Sequence, residues 1–453
     1  MSLVKYYCLM KSILRRKILS KKLMVRVIES GSLPSDVLNK RWPNIRGVGS
    51  ELTRYVKRII DEVKRQGDSA LIKFEERFDG VKLSPEMLRV NREDIERAYD
   101  KVDDKLVSAI EFSKSRVEAF QKEILKRIKF EYEEDGLHIR SCPSPLRRIG
   151  CYIPGGKAAY PSSVVMMATP AKVAGVPEIA ISSPPKSNGE IDPSVLVAAD
   201  ICGVSEIYRI GGAQAIAALA YGTQTVKPVD KIVGPGNRYV QAAKILVSKD
   251  LPIDIPAGPS EVAIIADELA DPRLIALDMI SQAEHLDAIS ILVTTSRKVA
   301  ENVLKTLEQQ VKSISNREIV SENLSRNGLI ITCESLDEAV RVVNEFAPEH
   351  LEIMTRDAWD VAEKVTSAGL VLIGADTPVA ASDYCLGTIH ILPTGGFSHV
   401  YSGLSILDFV KHFCVVECSK RKLQELRDKV MILAESEGLK NHSSAVEGRF
   451  DRE

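Results

Sequence analysis

Apolar and polar residues follow a helical period over the first part of the chain. From residue 51, leucine, valine and isoleucine recur three and four positions apart in ELTRYVKRIIDEVK, which places them on one helix face. Gly67 can end this helix, because glycine readily adopts the left-handed conformation that closes a helix. Apolar residues have the same helical spacing in residues 91–125. The pattern predicts long amphipathic helices that bury one face against another element.

Strict alternation replaces the helical period in IKFEYEEDGLHIRSCPSPL, residues 128–146. Two alternating arms flank Asp135 and Gly136, a pair that supplies a tight turn. This stretch is therefore predicted to be a β-hairpin.

Short apolar runs and helical runs alternate after Gly150. The runs CYIP, EIAISS, EIYRI and KIV are typical of strands, and Asp192 with Pro193 begins one of the intervening helices. A second block continues the pattern with VAIIAD, ISILVTT, HLEIMT and GLVLIG. Strands that alternate with helices indicate parallel βαβ units. We therefore expect an α/β fold with two Rossmann-like, doubly wound units.

The pattern of apolar and polar positions changes again near Leu404. SILDFVKHF and KRKLQELRDKVMILAESEG are predicted to be amphipathic helices with no strand between them. A short helical tail fits an arm that docks on another surface better than it fits a third core.

Composition narrows the class of protein. The 453 residues are 45% hydrophobic and 27% charged, with a net charge of -1, so no strong field attracts nucleic acid or an acidic membrane surface. No apolar run is long enough to cross a bilayer. The eight cysteines are scattered without a CxxC pair, which is typical of reduced thiols. We expect a cytoplasmic globular protein.

The first residues have a composition of their own. Residues 1–28 are rich in lysine and arginine, and no acid precedes Glu29. Transit peptides have this character. The alternative, which we expect, is an extended start with Met24 as the functional initiator.

A glutamine and a histidine form the first candidate for chemistry. Gln282 and His285 lie three apart in SQAEH, at the end of a predicted helix, so both side chains can face one point. Alone, such a pair is more often an ordinary surface or core pair than a metal site. Asp383 and His442, both in turn-like stretches, are candidates for further ligands. Two imidazoles, a carboxylate and an amide oxygen suit zinc or a neighbouring divalent ion.

A glutamate and a histidine form the second candidate. Glu349 and His350 in APEHLE follow Pro348 at a junction between a helix and a strand. Neighbouring strand residues point to opposite faces, but at a turn both can reach one target. A carboxylate beside an imidazole can act as base and acid. The alternative is an exposed loop glutamate beside a histidine that binds a carbonyl.

Four glycine turns each follow a predicted strand: IPGG, GGAQ, GPGN and GPSE. None of them is the GxGxxG dinucleotide motif. The carboxyl ends of parallel strands and the N-termini of helices often bind phosphates. The turns therefore favour a nucleotide or another phosphorylated ligand; the alternative is tight turns required only by packing.

Taken together, these motifs make the chain resemble the histidinol dehydrogenases. The resemblance rests on CYIPGG, GGAQAIAALAYGT, KIVGPGN, IPAGPSEV, SQAEH, APEHLE, SDYCLGTIHILPTGG, SGLSILDF and GLKNHSSAV, which occur in the family's order from about residue 30 to the end. It implies oxidation of L-histidinol to L-histidine through L-histidinaldehyde with two NAD, the last step of histidine biosynthesis. It also implies an intertwined homodimer with shared active sites.

The resemblance implies roles for individual residues. One Zn²⁺ per subunit would be bound by Gln282, His285, Asp383 and His442, of which His442 comes from the neighbouring subunit. Glu349 and His350 match the catalytic pair. The matched substrate contacts are Ser260 and Glu437, together with the four zinc ligands and His350, and the matched NAD contacts are Tyr152, Gln214 and Asn237.

The expected organisation follows from the pattern and the resemblance together. We expect a basic extension at 1–23, an N-terminal arm at 24–46, and a discontinuous α/β domain at 47–151 and 262–404. An NAD-binding α/β domain would occupy 152–261, and a helical C-terminal arm 405–453.

Two other functions fit some of the same residues. A zinc hydrolase would use Glu349 and a bound water, and would need no nicotinamide. A ligand-binding protein that kept the fold without the activity would typically have lost catalytic residues, whereas Glu349 and His350 are present.

Overall fold

The computed structural model describes residues 25–29, 33–41, 50–155, 159–255 and 258–450. The predicted extension at 1–23 lies outside these residues. No helix in the described part of the chain is long and apolar enough to cross a membrane. The cysteines that are described are free thiols, as expected.

The helices are numbered here along the chain. They are α1 (Ser35–Arg41), α2 (Ser50–Gln66), α3 (Asp68–Phe78), α4 (Arg92–Tyr99), α5 (Asp104–Ile128), α6 (Pro161–Ala174), α7 (Pro193–Ile201), α8 (Gly212–Tyr221), α9 (Arg238–Val247), α10 (Pro272–Gln282), α11 (Arg297–Gln310), α12 (Arg317–Asn327), α13 (Leu336–Phe346), α14 (Ala358–Ala362), α15 (Val379–Tyr384), α16 (Lys420–Ser436) and α17 (Lys440–Glu447).

The strands are numbered in the same way. They are β1 (Arg26–Ile28), β2 (Glu131–Glu134), β3 (Leu137–Pro145), β4 (Arg148–Tyr152), β5 (Glu178–Ser183), β6 (Glu206–Arg209), β7 (Lys231–Val233), β8 (Glu261–Ala266), β9 (Ile289–Thr294), β10 (Gly328–Thr332), β11 (His350–Met354), β12 (Leu370–Ile373) and β13 (Val410–Cys418).

The smaller parallel sheet has the order β6-β5-β4-β7. The order reverses beside β4, as it does in a doubly wound sheet. One apolar cluster joins a face of this sheet to α5, α6 and α7, and a second joins the other face to α2, α3, α8 and α9. Helices therefore cover both faces, as the alternation of strands and helices predicted.

The larger parallel sheet has the order β1-β10-β9-β8-β11-β12. Its order reverses beside β8. Buried side chains of α10, α11 and α12 cover one face, and those of α13 and α14 cover the other. The prediction of an α/β fold with two doubly wound units is confirmed.

The apolar cores group the first part of the chain differently from the predicted domains. Val56 of α2 and Leu71 of α3 pack with Ile216 of α8 against the smaller sheet, and β4 is central in that sheet. The assignment of 47–151 to one domain with 262–404 therefore needs correction for its described part. By contrast, strand β1, which precedes that range, belongs to the larger sheet because it pairs with β10.

The predicted hairpin is present, but it is part of a third sheet. β2 pairs antiparallel with β3 around Asp135 and Gly136, which both have positive φ. The other edge of β3 pairs along its whole length with β13. The prediction of two C-terminal helices with no strand between them is wrong. VKHFCVVEC is rich in β-branched and aromatic residues, and its long pairing with β3 overrides the helical period read from SILDFVKHF.

The two C-terminal helices form a tail that packs on itself. α16 and α17 pack together, and the start of α16 is tied to the hairpin by Ser419 N–H, which donates to the Gly136 carbonyl over 2.8 Å. Large apolar side chains of this tail and of β13 are exposed: Ile432 and Leu433 are more than 60% exposed, and Val415 and Val416 more than half. A surface of this kind is typical of an interface.

Candidate active site

The candidate site lies at the starts of two neighbouring strands in the centre of the larger sheet. β8 starts at Glu261 and β11 at His350, and His350 is in register with Val262. The site therefore lies at the amino edge of this sheet, beside the point where the strand order reverses. Open α/β sheets usually bind ligands at the opposite, carboxyl edge.

Glu349 is fixed by two donors from the segment that leads into β8. Its Oε2 accepts a 2.7 Å hydrogen bond from Ser260 Oγ and a 2.8 Å bond from the Glu261 amide. Glu349 is buried. Two donors on one carboxylate oxygen set the orientation of the group and leave Oε1 as its further acceptor.

His350 is buried beside Glu349, and its two ring nitrogens have different surroundings. Nδ1 lies 3.3 Å from the Glu261 carbonyl and 3.6 Å from Glu349 Oε2. Nε2 lies 3.6 Å from Asp383 Oδ1 and has no hydrogen-bond partner in the described part of the chain. An Nδ1–H that donates to the Glu261 carbonyl leaves Nε2 as the proton acceptor.

Burial and two carboxylates act on His350 in opposite directions. Burial alone would lower its pKa, but Glu349 and Asp383 outweigh burial and raise the pKa to about 10. The partner group responds in the opposite sense. Burial would raise the pKa of Asp383, but His350 and the neighbouring imidazoles outweigh it and lower that pKa.

Asp383 lies in the short helix α15 rather than in the turn that the sequence suggested. Its backbone carbonyl accepts a 2.8 Å hydrogen bond from His390 Nδ1. On the other side of that ring, Nε2 lies 3.3 Å from Ser163 Oγ at the start of α6. Because α6 follows β4, His390 links the amino edge of the larger sheet to the carboxyl edge of the smaller one.

Gln282 is the last residue of α10, and His285 lies in the turn that follows. The His285 amide donates to the Gln282 carbonyl over 3.2 Å, so the chain continues for one more turn outside the helix. The predicted shared helix face therefore ends at Gln282. The side chain of Asn323 binds the carbonyls of Ala283 and His285 and holds this turn.

The two candidate ligands at this turn differ in exposure. Gln282 is buried and its Nε2 has no partner among the described residues, whereas His285 is exposed. α10 packs against α15, and the His285 imidazole acts electrostatically on Asp383. Gln282, His285 and Asp383 therefore belong to one neighbourhood.

The tail residues lie elsewhere. Glu437 caps the end of α16, and His442 lies in α17, not in a turn as expected. Both are exposed. α17 packs mainly on α16, so a single chain does not bring these two residues to Asp383.

Sequence reasoning overlooked two carboxyl groups behind the site, one buried and one half-buried. Glu352 lies two residues after His350 in β11, and Asp278 lies one helical turn before Gln282 in α10. Glu352 Oε1 accepts from the Val379 amide at the start of α15 over 2.8 Å. The spacing from the catalytic and ligand candidates was the signal that could have found both residues.

The expected NAD contacts lie at the carboxyl edge of the smaller sheet. Tyr152 ends β4 and its hydroxyl accepts a 3.1 Å hydrogen bond from the Gly212 amide. Gln214 is buried in the first turn of α8. Asn237 caps α9 and accepts from the amides of Tyr239 and Val240.

The glycine turns differ from the expected phosphate sites. GPSE precedes β8 rather than following a strand, so Ser260 lies at the amino edge of the larger sheet. In GGAQ the Gly211 amide donates to Glu75 Oε1 over 3.0 Å, and in GPGN the Gly234 amide donates to Asp254 Oδ2 over 2.6 Å. These two amides bind carboxyl groups of the chain itself and are not available to a phosphate.

A different group of potential ligands lies on the hairpin. Glu131, Glu133 and His138 could approach one ion, but the two glutamates are exposed and Glu131 already pairs with Arg140 over 2.8 Å. Exposed acidic groups of this kind are common without a metal, so the hairpin group is not part of the candidate site.

Comparison with known proteins connects this geometry to one family. A family model described as histidinol dehydrogenase matches residues 46–450. A histidinol dehydrogenase of Clostridium acetobutylicum is 42% identical over 429 residues, which cover 94% of this chain and 99% of that protein. One of Archaeoglobus fulgidus is 44% identical over 400 residues, covering 88% and 95%.

A solved structure agrees with these sequences. The crystal structure of histidinol dehydrogenase from Elizabethkingia anophelis matches with a TM-score of 0.88 and 35% identity. The match covers 94% of this chain and 98% of that chain.

Proposed function

The chain belongs to the histidinol dehydrogenase family, and we propose that it converts L-histidinol to L-histidine through L-histidinaldehyde by two successive oxidations. NAD would accept a hydride in each oxidation, and one zinc ion per subunit would hold the substrate. The reaction is the last step of histidine biosynthesis. The observation that carries the proposal is the convergence of Glu349, His350 and Asp383 at the amino edge of the larger sheet.

The residues around Asp383 fit a cation. The amide nitrogen of buried Gln282 and Nε2 of buried His350 lack partners among the described residues, which is unfavourable unless another group binds in the site. The Gln282 nitrogen is a donor, so an ion would be bound by the amide oxygen instead. Gln282, His285 and Asp383 offer an amide oxygen, an imidazole nitrogen and a carboxylate, donors that suit zinc. An amide oxygen adds no charge and so preserves the Lewis acidity of the ion.

The fourth ligand in this proposal is His442 of the partner subunit. His442 and Glu437 of one chain are exposed and belong to a tail whose apolar side chains are also exposed. A second copy of the chain would bury that surface and deliver both residues to the neighbouring site. We therefore propose an intertwined homodimer with shared active sites.

When bound, zinc would orient the amine and imidazole of histidinol, and NAD would accept the hydride from the carbinol carbon. His350 would take the proton of the substrate hydroxyl at Nε2, the nitrogen without a partner. A cation beside Asp383 would offset that carboxylate, and this would lower the pKa of His350 toward the range of a general base. The first oxidation thus removes one proton and one hydride and forms the aldehyde.

Glu349 would act in the second oxidation. Its Oε2 is held by Ser260 and Glu261, so Oε1 can take a proton from the water that adds to the aldehyde carbon. The hydrate then loses a proton and a second hydride to become the carboxylic acid. Two NADH form for each histidinol, and the second oxygen of the product comes from water.

NAD would approach from the carboxyl edge of the smaller sheet, where Tyr152, Gln214 and Asn237 lie. The His390–Ser163 contact supports this arrangement, because it joins that edge to the neighbourhood of Asp383. We also propose a cytoplasmic location, which the free thiols of the described chain support.

The test is a turnover assay on the purified protein. We expect two NADH for each L-histidinol consumed, loss of the activity with a chelator, and recovery with added zinc. A zinc hydrolase would form no NADH. Absence of NADH from zinc-loaded protein given histidinol and NAD would contradict the proposed function.

A further inference from the structure

A buried carboxyl group lies under the glycine turn that begins α8. Glu75 of α3 is completely buried, and its Oε1 accepts hydrogen bonds from the Gly211 amide over 3.0 Å and from Gln214 Nε2 over 2.9 Å. One carboxylate oxygen thus binds both the backbone of the turn and the side chain of Gln214. The contact spans more than one hundred residues of sequence, so nothing in local structure requires it.

The contact with Glu75 determines which end of the Gln214 amide is free. With Nε2 directed to Glu75, Oε1 must lie on the other side of the amide group. Gln214 is only 1% exposed, and Oε1 has no hydrogen-bond partner in the described part of the chain. A buried acceptor without a donor costs free energy, so Oε1 is suited to a ligand that brings a donor.

The unpaired Gln214 oxygen lies against the glycine turn, close to Gly212. A Cβ built on Gly212 would lie 2.7 Å from Gln214 Oε1, and Gly212 has a positive φ of 58°. Glycine is required there because a side chain would occupy the space in front of the oxygen. The turn therefore places glycine backbone, and no side chain, beside the buried Gln214 oxygen at the carboxyl edge of the smaller sheet.

The backbone amides of the turn are already bound. The Gly211 amide donates to Glu75, and the Gly212 amide donates to the Tyr152 hydroxyl. A phosphate could bind these two amides only by displacing Glu75 or Tyr152. The Gln214 oxygen remains without a donor, and it can accept from a hydroxyl or an amide N–H.

A second acid explains how Glu75 remains an acceptor while buried. Asp79 lies one helical turn later, and the other oxygen of Glu75, Oε2, has no hydrogen-bond partner among the described residues. Burial, together with the Asp79 carboxylate, raises the pKa of Glu75 to about 8, and burial also raises the pKa of Asp79. A proton on Oε2 leaves Oε1 free to accept from Gly211 and Gln214.

We propose that Glu75 is a positioning residue for NAD. Glu75 fixes the Gln214 side chain so that the Gln214 oxygen accepts a hydrogen bond from a ribose hydroxyl or the carboxamide of the cofactor. This inference rests on the proposed use of NAD. Glu75 itself does not contact the cofactor in this arrangement and acts only through Gln214.

Glu75→Gln tests the proposal in the zinc-loaded enzyme. The amide in Glu75→Gln can present its NH2 group to Gln214 as well as its oxygen, so the Gln214 side chain can turn over. We therefore expect the KM for NAD to rise about tenfold, the effect of losing one hydrogen bond. The KM for histidinol and the zinc content should stay within twofold of wild type. The matched control is Glu76→Gln, an exposed residue of the same helix, which should change none of these values.

A double variant separates positioning from general stability. Because Glu75 acts through Gln214, Glu75→Gln combined with Gln214→Ala should raise the KM for NAD no further than Gln214→Ala alone. Glu75→Asp withdraws the carboxyl group by one methylene and carries the same expectation as Glu75→Gln, so failure of one variant to fold leaves the other as the test.

The outcomes distinguish this inference from the proposed function. Wild-type protein that neither binds NAD nor forms NADH would overturn the proposed function. Wild-type protein that uses NAD, with an unchanged KM for NAD in folded Glu75→Gln and Glu75→Asp, would overturn only the positioning role. Equal increases in the KM for NAD and for histidinol would also overturn it, since they indicate a general structural effect.

Discussion

The hydroxyl of Ser260 donates a 2.7 Å hydrogen bond to Oε2 of Glu349. Strands β8, β9 and β10 lie between these two residues in the sequence. The residues meet because β8 and β11 are neighbouring strands in the sheet. We predict that Ser260→Ala lowers the rate of aldehyde oxidation about tenfold, since Glu349 keeps only the Glu261 amide as an orienting donor. Steady-state kinetics with histidinaldehyde measures this rate. Ser248→Ala, at an exposed serine after α9, is the control, and an equal loss in both variants would contradict the prediction.

Replacing Glu349 should separate the two oxidations. In Glu349→Gln the base for water addition is lost while His350 remains, so we predict that the second oxidation slows a hundredfold or more, by roughly the usual contribution of a general base, and that the first slows much less. Single-turnover experiments should then give one fast NADH for each histidinol and accumulation of aldehyde. Glu345→Gln, an exposed residue of α13, should behave as wild type. Equal slowing of both oxidations would exclude this division of roles.

The carboxyl pair behind the site makes stability depend on pH. Burial and the Asp278 carboxylate raise the pKa of Glu352 from 4.5 to about 8, and burial raises that of Asp278 to about 6. A carboxyl group whose pKa is higher in the folded chain binds its proton more tightly there. Its contribution is therefore complete below the unfolded pKa of 4.5 and is lost as the pH rises through about 8.

Glu352→Gln should remove this dependence. Between pH 5 and 8 we predict that the free energy of unfolding of the wild type falls by about 3 kcal/mol relative to the variant. Denaturant unfolding of both metal-free proteins across this range measures the difference. Glu363→Gln, at an exposed position, should follow the wild-type curve. A constant difference between wild type and Glu352→Gln at all pH values would show that Glu352 titrates normally.

His442→Asn tests the proposed ligand in the tail. We predict at least tenfold weaker zinc binding, since one of four ligands is lost. Metal analysis after dialysis against a competing chelator gives the affinity. His138→Asn, on the hairpin, is the control for loss of a histidine outside the site. Unchanged zinc content in His442→Asn would separate the tail from the metal.

Local sequence patterns predicted the α/β architecture because apolar residues recur with different periods in strands and in helices. The caps at Asp192 and Asp271 were readable for the same reason, since each precedes a proline in the first turn and accepts from a backbone amide there. The strand β13 was not readable. Its conformation depends on pairing with β3, which is more than two hundred residues earlier in sequence.

Candidate site residues could be proposed one by one from the sequence, but their arrangement could not. Glu349 and His350 were recognisable as a motif, whereas the bond from Ser260 requires β8 to lie beside β11. The glycine turns suggested phosphate binding, and the structure instead gives their amides buried acceptors, Glu75 and Asp254. Such acceptors come from distant segments, so local spacing carries no signal of them.

The most direct test of a site shared between two copies uses two inactive variants together. His350→Asn and His442→Asn chains, each with a different affinity tag, would be co-expressed and the mixed dimer isolated through both tags. If His442 of the partner subunit completes each site, one site of the mixed dimer has both histidines, and NADH formation from histidinol should return to roughly half of the wild-type rate per dimer. If His442 serves its own chain, both sites of the mixed dimer lack a residue, and activity no higher than that of the parent variants would contradict the shared site.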